Sequence, residues 1–112
     1  MTDILKPETI DSLREIGEDF FSELIETFLD CAREDIERIR REIEAGNPSG
    51  AGAAAHCLKG ACLGQGAEEM AGICRKIETR GDEGRLEESR ELLKQLEEAF
   101  RKVSRELGRL RG

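Results

Sequence analysis

Between Phe21 and Ile43 the apolar residues recur at steps of three and four: Phe21, Leu24, Ile25, Phe28, Leu29, Ala32, Ile36, Ile39 and Ile43. A helix turns about 100° per residue, so this spacing gathers them into one stripe, whereas a strand would need strict alternation. Pro and Gly mark the other elements. Pro7 suits the first turn of a short helix that Gly17 ends. Asp19 is expected to cap the long second helix, which runs toward Ala45 and stops at Gly46-Asn47-Pro48. Ser49 or Gly50 then opens an Ala-rich third helix, closed by Gly64 and Gly66. A fourth, from about Ala67 to Thr79, shows Met70, Ile73, Cys74 and Ile77 on one side, and Gly81-Asp82-Glu83-Gly84 reads as a tight connection. The last helix repeats Leu86, Leu93, Leu96, Phe100, Val103, Leu107 and Leu110 in a heptad-like seam. No strand-like alternation interrupts the series. Four sizeable helices with short links prefer antiparallel neighbours, so the expected fold is all-α: an up-down four-helix bundle with a short additional N-terminal helix. The alternative for the last helix is a coiled coil used for dimerisation.

At 112 residues the chain is read as one domain over 1–112. Its formal net charge of -7 disfavours nucleic acid, whose phosphates attract basic surfaces. No apolar run approaches the roughly 20 residues that span a bilayer, and Met1-Thr2-Asp3 opens no signal-peptide core. No membrane association is expected, and a cytoplasmic location is. Cys31, Cys57, Cys62 and Cys74 include no C-x-x-C pair, and one histidine could join them. They are read as small apolar residues, not as disulfide or zinc ligands. With a single His there is no Ser-His or Cys-His arrangement. No G-x-x-x-x-G-K loop offers ATP a cradle.

That histidine, His56, sits on the third helix. With His56 at zero, Leu58 falls near 200° and Ala54 near 160°, flanked by Ala55, Ala61, Cys62 and Gln65. This small apolar side is opposite the ring and should face the core. Gly52, Ala53, Lys59, Gly60, Leu63 and Gly64 share the histidine's side, so the imidazole is displayed to solvent. Gly60, one turn on, costs about 1 kcal/mol relative to Ala in a helix. That cost makes sense if something large must approach the ring, although close helix packing is the other explanation. Lys59 places a cation suited to holding an anion on the imidazole. Leu63 offers an apolar contact for a docking partner.

The run Ala55-His56-Cys57-Leu58-Lys59-Gly60-Ala61-Cys62, then Gly66-Ala67, resembles the histidine phosphotransfer (HPt) domain family of two-component phosphorelays. That family shows H-x-x-K-G, small residues, and Gly-Ala about ten positions after the His. Phe20-Phe21 with Leu24, Ile25, Phe28 and Leu29 is similar to the family's preceding helix. Cys74-Arg75-Lys76-Ile77-Glu78 followed by Gly81 is similar to its C-x-x-[LI]-E segment. Gln65, where an apolar residue is more usual, departs from the pattern and needs a hydrogen-bond partner if buried.

The resemblance implies that His56 accepts a phosphoryl group, that Lys59 is the cation near it, and that Gly60 lets the partner close in. It implies a stoichiometric carrier, not an enzyme, between a hybrid sensor histidine kinase and a response-regulator receiver domain. Mg²⁺ is then supplied by the receiver, and this chain binds no cofactor. A monomer is expected. Neutral imidazole, most readily through Nε2, would attack phosphorus in line, and an ordinary imidazole is mostly neutral near pH 7. Docking should use the third helix and exposed Phe or Leu residues of the second, with most of Phe20, Phe21 and Phe28 in the core. Rival readings are a helical scaffold that is never phosphorylated, the N-terminal module of a chemotaxis-type kinase, and a small metal carrier.

Overall fold

Pro7, with its fixed φ, opens α1 (Pro7–Ile16), and Gly17 ends it at a φ of 144°. The computed structural model describes residues 3–111. The long amphipathic segment forms α2 (Glu18–Glu44). Its N-cap is Gly17, not the expected Asp19; Glu18 and Asp19 lie in the first turn, where carboxylates complement the helix dipole. Likewise Pro48, not Ser49 or Gly50, opens α3 (Pro48–Gly64), and the Asn47 side chain caps it by accepting the Gly50 N–H at 3.1 Å. α4 covers Glu68–Asp82 and α5 covers Leu86–Arg111.

α2, α3, α4 and α5 pack in a ring, each against the next and α5 back against α2, with only slight contact across the α3–α5 diagonal. This is the antiparallel four-helix bundle expected from the sequence, and α1 leans on α2 as the additional helix. Arg14 fastens α1 by donating to the Leu110 carbonyl at 3.0 Å while lying over the Phe21 ring. Among the described residues no helix is long and apolar enough to cross a membrane.

The α2 stripe fills the core, where Phe21, Ile25, Ala32 and Ile39 are fully buried; full burial of a large apolar side chain contributes about 1.5–3 kcal/mol. In α5, Leu92 and Ala99 are buried beside Leu93, Leu96, Val103 and Leu107. The buried stripe is therefore wider than a two-stranded coiled-coil seam, and it faces the bundle. Phe21 and Phe28 are core residues, and Phe20 is exposed.

α4 runs past Thr79 through Gly81 and Asp82, so the expected tight connection begins only at Glu83. The reason is tertiary. A Cβ on Gly81 would stand 2.4 Å from the Pro48 carbonyl oxygen and 3.3 Å from Gly52 Cα. Only a glycine lets the two backbones meet there. Ala51, Ala54 and Ala55, all fully buried, keep the rest of α3 thin enough to approach its neighbours.

Candidate functional site

The thin α3 and the glycine contact at its start bring one residue of α4, Glu78, alongside the exposed histidine. A Cβ on Gly52 would lie 3.4 Å from the Cα of Glu78, so that part of α3 is buried under α4. Helical periodicity alone placed Gly52 on the open side of α3. From this anchor the Glu78 side chain reaches along the surface to both His56 and Lys59.

His56 projects outward with 68% of its side chain exposed, and its Nδ1 lies 3.0 Å from Glu78 Oε2. Lys59 Nζ lies 2.5 Å from the other oxygen, Oε1. One carboxylate thus bridges the imidazole and the ammonium. An ionised carboxylate only accepts hydrogen bonds, so the contact at Nδ1 requires a proton there. The neutral ring then carries its lone pair on Nε2, which faces solvent. In that neutral tautomer the ring would present an oriented Nε2 lone pair that needs no base to remove a proton first.

Burial pushes the Glu78 carboxyl up, but the Lys59 ammonium and the His56 ring beside it outweigh this. Together they hold it below the usual Glu range. Lys59 sits where expected, but it is not a free cation: its side chain is only 22% exposed and its charge is matched by Glu78. Gly60 is exposed, and a Cβ built on it would meet nothing within 4 Å. Close helix packing therefore does not account for this glycine. Leu63 is half exposed further along the same face.

The periodicity of α3 brought out His56, Lys59, Gly60 and Leu63 but gave Glu78 no role. The one available signal was the Cys74–Glu78 segment, whose final carboxylate lies 22 residues from His56 in sequence and beside it in space. Gln65 is buried as its wheel position implied. It donates to the Leu24 carbonyl at 3.5 Å, and its Oε1 has no partner among the described residues.

The small-apolar reading of the cysteines holds for Cys62 and Cys74, which are buried together between α3 and α4. The Cys74 thiol beside it, and burial, hold the Cys62 thiol far above the ordinary range. Cys31 and Cys57 are exposed and fill no core space. Among the described residues no three His, Cys, Asp or Glu side chains gather closely enough to hold a metal ion.

The family model for the Hpt domain matches residues 23–106. Among solved structures, the crystal structure of histidine-containing phosphotransfer protein B from Pseudomonas aeruginosa PAO1 matches with a TM-score of 0.93 and 27% sequence identity. The match covers 99% of this chain and 96% of that one. No curated protein matches the chain.

Proposed function

The chain belongs to the Hpt domain family, and on that premise we propose that it is a phosphorelay intermediate acting as one domain, with His56 as its phosphoacceptor. The observation that carries this reading is the exposed His56 ring with Nδ1 held 3.0 Å from Glu78. A receiver bearing an aspartyl phosphate docks over α3, and Nε2 attacks phosphorus in line. The N–P bond forms as the bond from phosphorus to the aspartyl oxygen breaks, and the carboxylate leaves. The ring becomes cationic with its proton still on Nδ1, and Glu78 balances that charge. Lys59 turns toward the phosphoryl oxygens. The reverse sequence delivers the group to the next receiver, so the chain is a stoichiometric carrier between a hybrid sensor kinase and a response regulator in the cytoplasm.

Catalysis of this kind depends on positioning and charge neutralisation. Gly60 gives the partner room, while Phe20 and Leu63, at the same end of the bundle, offer it apolar contacts. Magnesium seeks several oxygen ligands, and the one carboxylate here is already engaged by Lys59 and His56. We therefore assign Mg²⁺ to the receiver.

The test is label transfer from a panel of phosphorylated receiver domains in the presence of Mg²⁺. The label should be acid-labile and alkali-stable, as on phosphohistidine. It should vanish in His56→Gln, whose melting temperature should stay within about 2 °C of wild type because most of the His56 side chain is exposed. Absence of label from every receiver, and from direct kinase phosphorylation, would leave a helical scaffold as the better description.

A further inference from the structure

The two flanks of α2 carry different charge. Toward α5 the acids are matched: Glu26 pairs with Arg111, and Arg40 joins Glu37 to Glu97. The flank toward α3 is marked by Leu24 and Glu42, whose partners Gln65 and Asn47 belong to the two ends of α3. These two positions lie five whole turns apart and so on one line. Phe20, Glu23, Thr27, Cys31, Glu34 and Arg38 all fall outward of that line, within about 100° of it, and all are exposed. They border the same open face as His56, Gly60 and Leu63 of α3. Glu23 and Glu34 have no ion-pair partner among the described residues. The Arg38 charge is offset by Asp35 beside it. On α3 the one formal charge is Lys59, which Glu78 matches. The face is therefore apolar at Phe20 and Leu63 and otherwise net negative.

A negative face is an unexpected surround for a phosphoryl acceptor. The group that must arrive is an anion, and the chain as a whole carries a formal charge of -7. Like charge slows encounter, whereas complementary charge can raise association rates by one to three orders of magnitude. With Lys59 held by Glu78, attraction has to come from the partner. A second copy laid face to face would bring these carboxylates together, and nucleic acid or an anionic membrane would meet the same repulsion. A protein with an apolar centre and a basic rim meets neither objection.

We propose that Glu23 and Glu34 select among receiver domains, favouring those that carry Lys or Arg around the surface that covers Phe20 and Leu63. The proposal rests on the phosphotransfer reading and deepens it. Both carboxylates act on encounter and binding, not on the reacting atoms. Their removal therefore leaves the transfer step inside the formed complex unchanged.

The experiment compares the full wild-type chain with Glu23→Lys/Glu34→Lys and with a control of equal charge, Glu44→Lys/Glu91→Lys. Glu44 lies five turns from Glu26, on the α5 flank, and Glu91 lies on α5 itself. A panel of receivers that differ in rim charge is titrated unphosphorylated by calorimetry, then phosphorylated and followed in single-turnover label transfer. For basic-rimmed receivers, both the affinity and the second-order transfer rate should fall at least tenfold in Glu23→Lys/Glu34→Lys and within about threefold in the control. The saturated first-order rate should stay within twofold. Raising salt to about 0.5 M should erase most of the wild-type advantage. Equal losses in the two double variants, wild-type rates that ignore salt, or no preference for basic rims would overturn the proposal. So would a wild-type dimer that Leu63→Asp dissolves, since it would seat a second copy on this face. Charge-dependent binding of receivers without label on His56 would instead refute the phosphotransfer reading and leave the docking selectivity standing.

Discussion

Replacing Glu78 with Gln preserves shape and removes what the bridge requires. The carboxylate offers one oxygen to His56 Nδ1 and the other to Lys59 Nζ. An amide has one acceptor oxygen and a donor NH₂, so it can serve one partner only. If the oxygen faces the ring, the NH₂ confronts the Lys59 ammonium. If it faces Lys59, the NH₂ confronts Nδ1, which must then accept, and the ring proton moves to Nε2, where it blocks the nucleophile. Either way at least one charge-assisted contact is lost, worth about 1.5–3 kcal/mol where well formed. The Glu78 side chain is 24% exposed, which places the loss near the lower end. At about 1.4 kcal/mol per decade, transfer to His56 should slow roughly tenfold, and further where the proton shifts to Nε2. Single-turnover label transfer from a phosphorylated receiver measures the rate, and ¹⁵N NMR of the imidazole reads the tautomer. A rate within twofold of wild type, with the Nδ1–H tautomer retained, would refute the positioning role of Glu78.

Gly60→Ala should stabilise the fold by about 0.5–1 kcal/mol, because the added methyl meets open space and improves helix propensity; Gly60→Glu should block transfer outright. Unaffected transfer in the Glu variant would mean that no partner approaches this turn. Gly81→Ala should cost about 1–3 kcal/mol in urea unfolding, because its methyl would meet the Pro48 carbonyl and neither backbone can easily give way. Stability should also fall in acid. Glu78 titrates below its ordinary value of about 4.3, so its contribution is present above that pH and is lost as pH drops through the lowered value. Between pH 5 and pH 3, wild type should lose more unfolding free energy than Glu78→Gln.

What the sequence disclosed was what a single helix decides. The α2 stripe is local periodicity, and nearly every residue assigned to it is buried. The face of α3 that carries His56 follows from the same rotation. The misreadings share a different origin. Gly81 has the neighbours of a turn, Asp82 and Gly84, yet lies in α4 because the Pro48 backbone presses against it. Gly52 sits on the open side of a wheel, yet another helix covers it. Cap positions shifted by one or two residues where Gly17 and Asn47 displaced other candidates. Lys59 was placed correctly, but its ion pair with Glu78 depends on a second helix arriving at one particular height. Periodicity gives directions around an axis, and this site is defined by what stands across the gap.

The Lys59–Glu78 pair also bears on how firmly such a site holds its cargo. In the resting state Lys59 and Glu78 satisfy each other. On the proposed mechanism, phosphorylation gives each a new partner: the phosphoryl oxygens for Lys59 and the cationic ring for Glu78. Lys59 can reach the phosphoryl oxygens only by leaving Glu78, 2.5 Å away in the resting state, so the new attractions are offset by separating an existing ion pair. A lysine with no internal partner would hold the phosphoryl group more tightly, and release to the next receiver would be correspondingly uphill. On that mechanism the resting ion pair would act as an internal competitor that brings acceptance and release closer in free energy. A carrier needs that balance, and a terminal acceptor does not. It follows that Lys59→Ala should shorten phosphohistidine lifetime less than the lysine's charge alone implies, because the wild-type cation is already partly spent on Glu78.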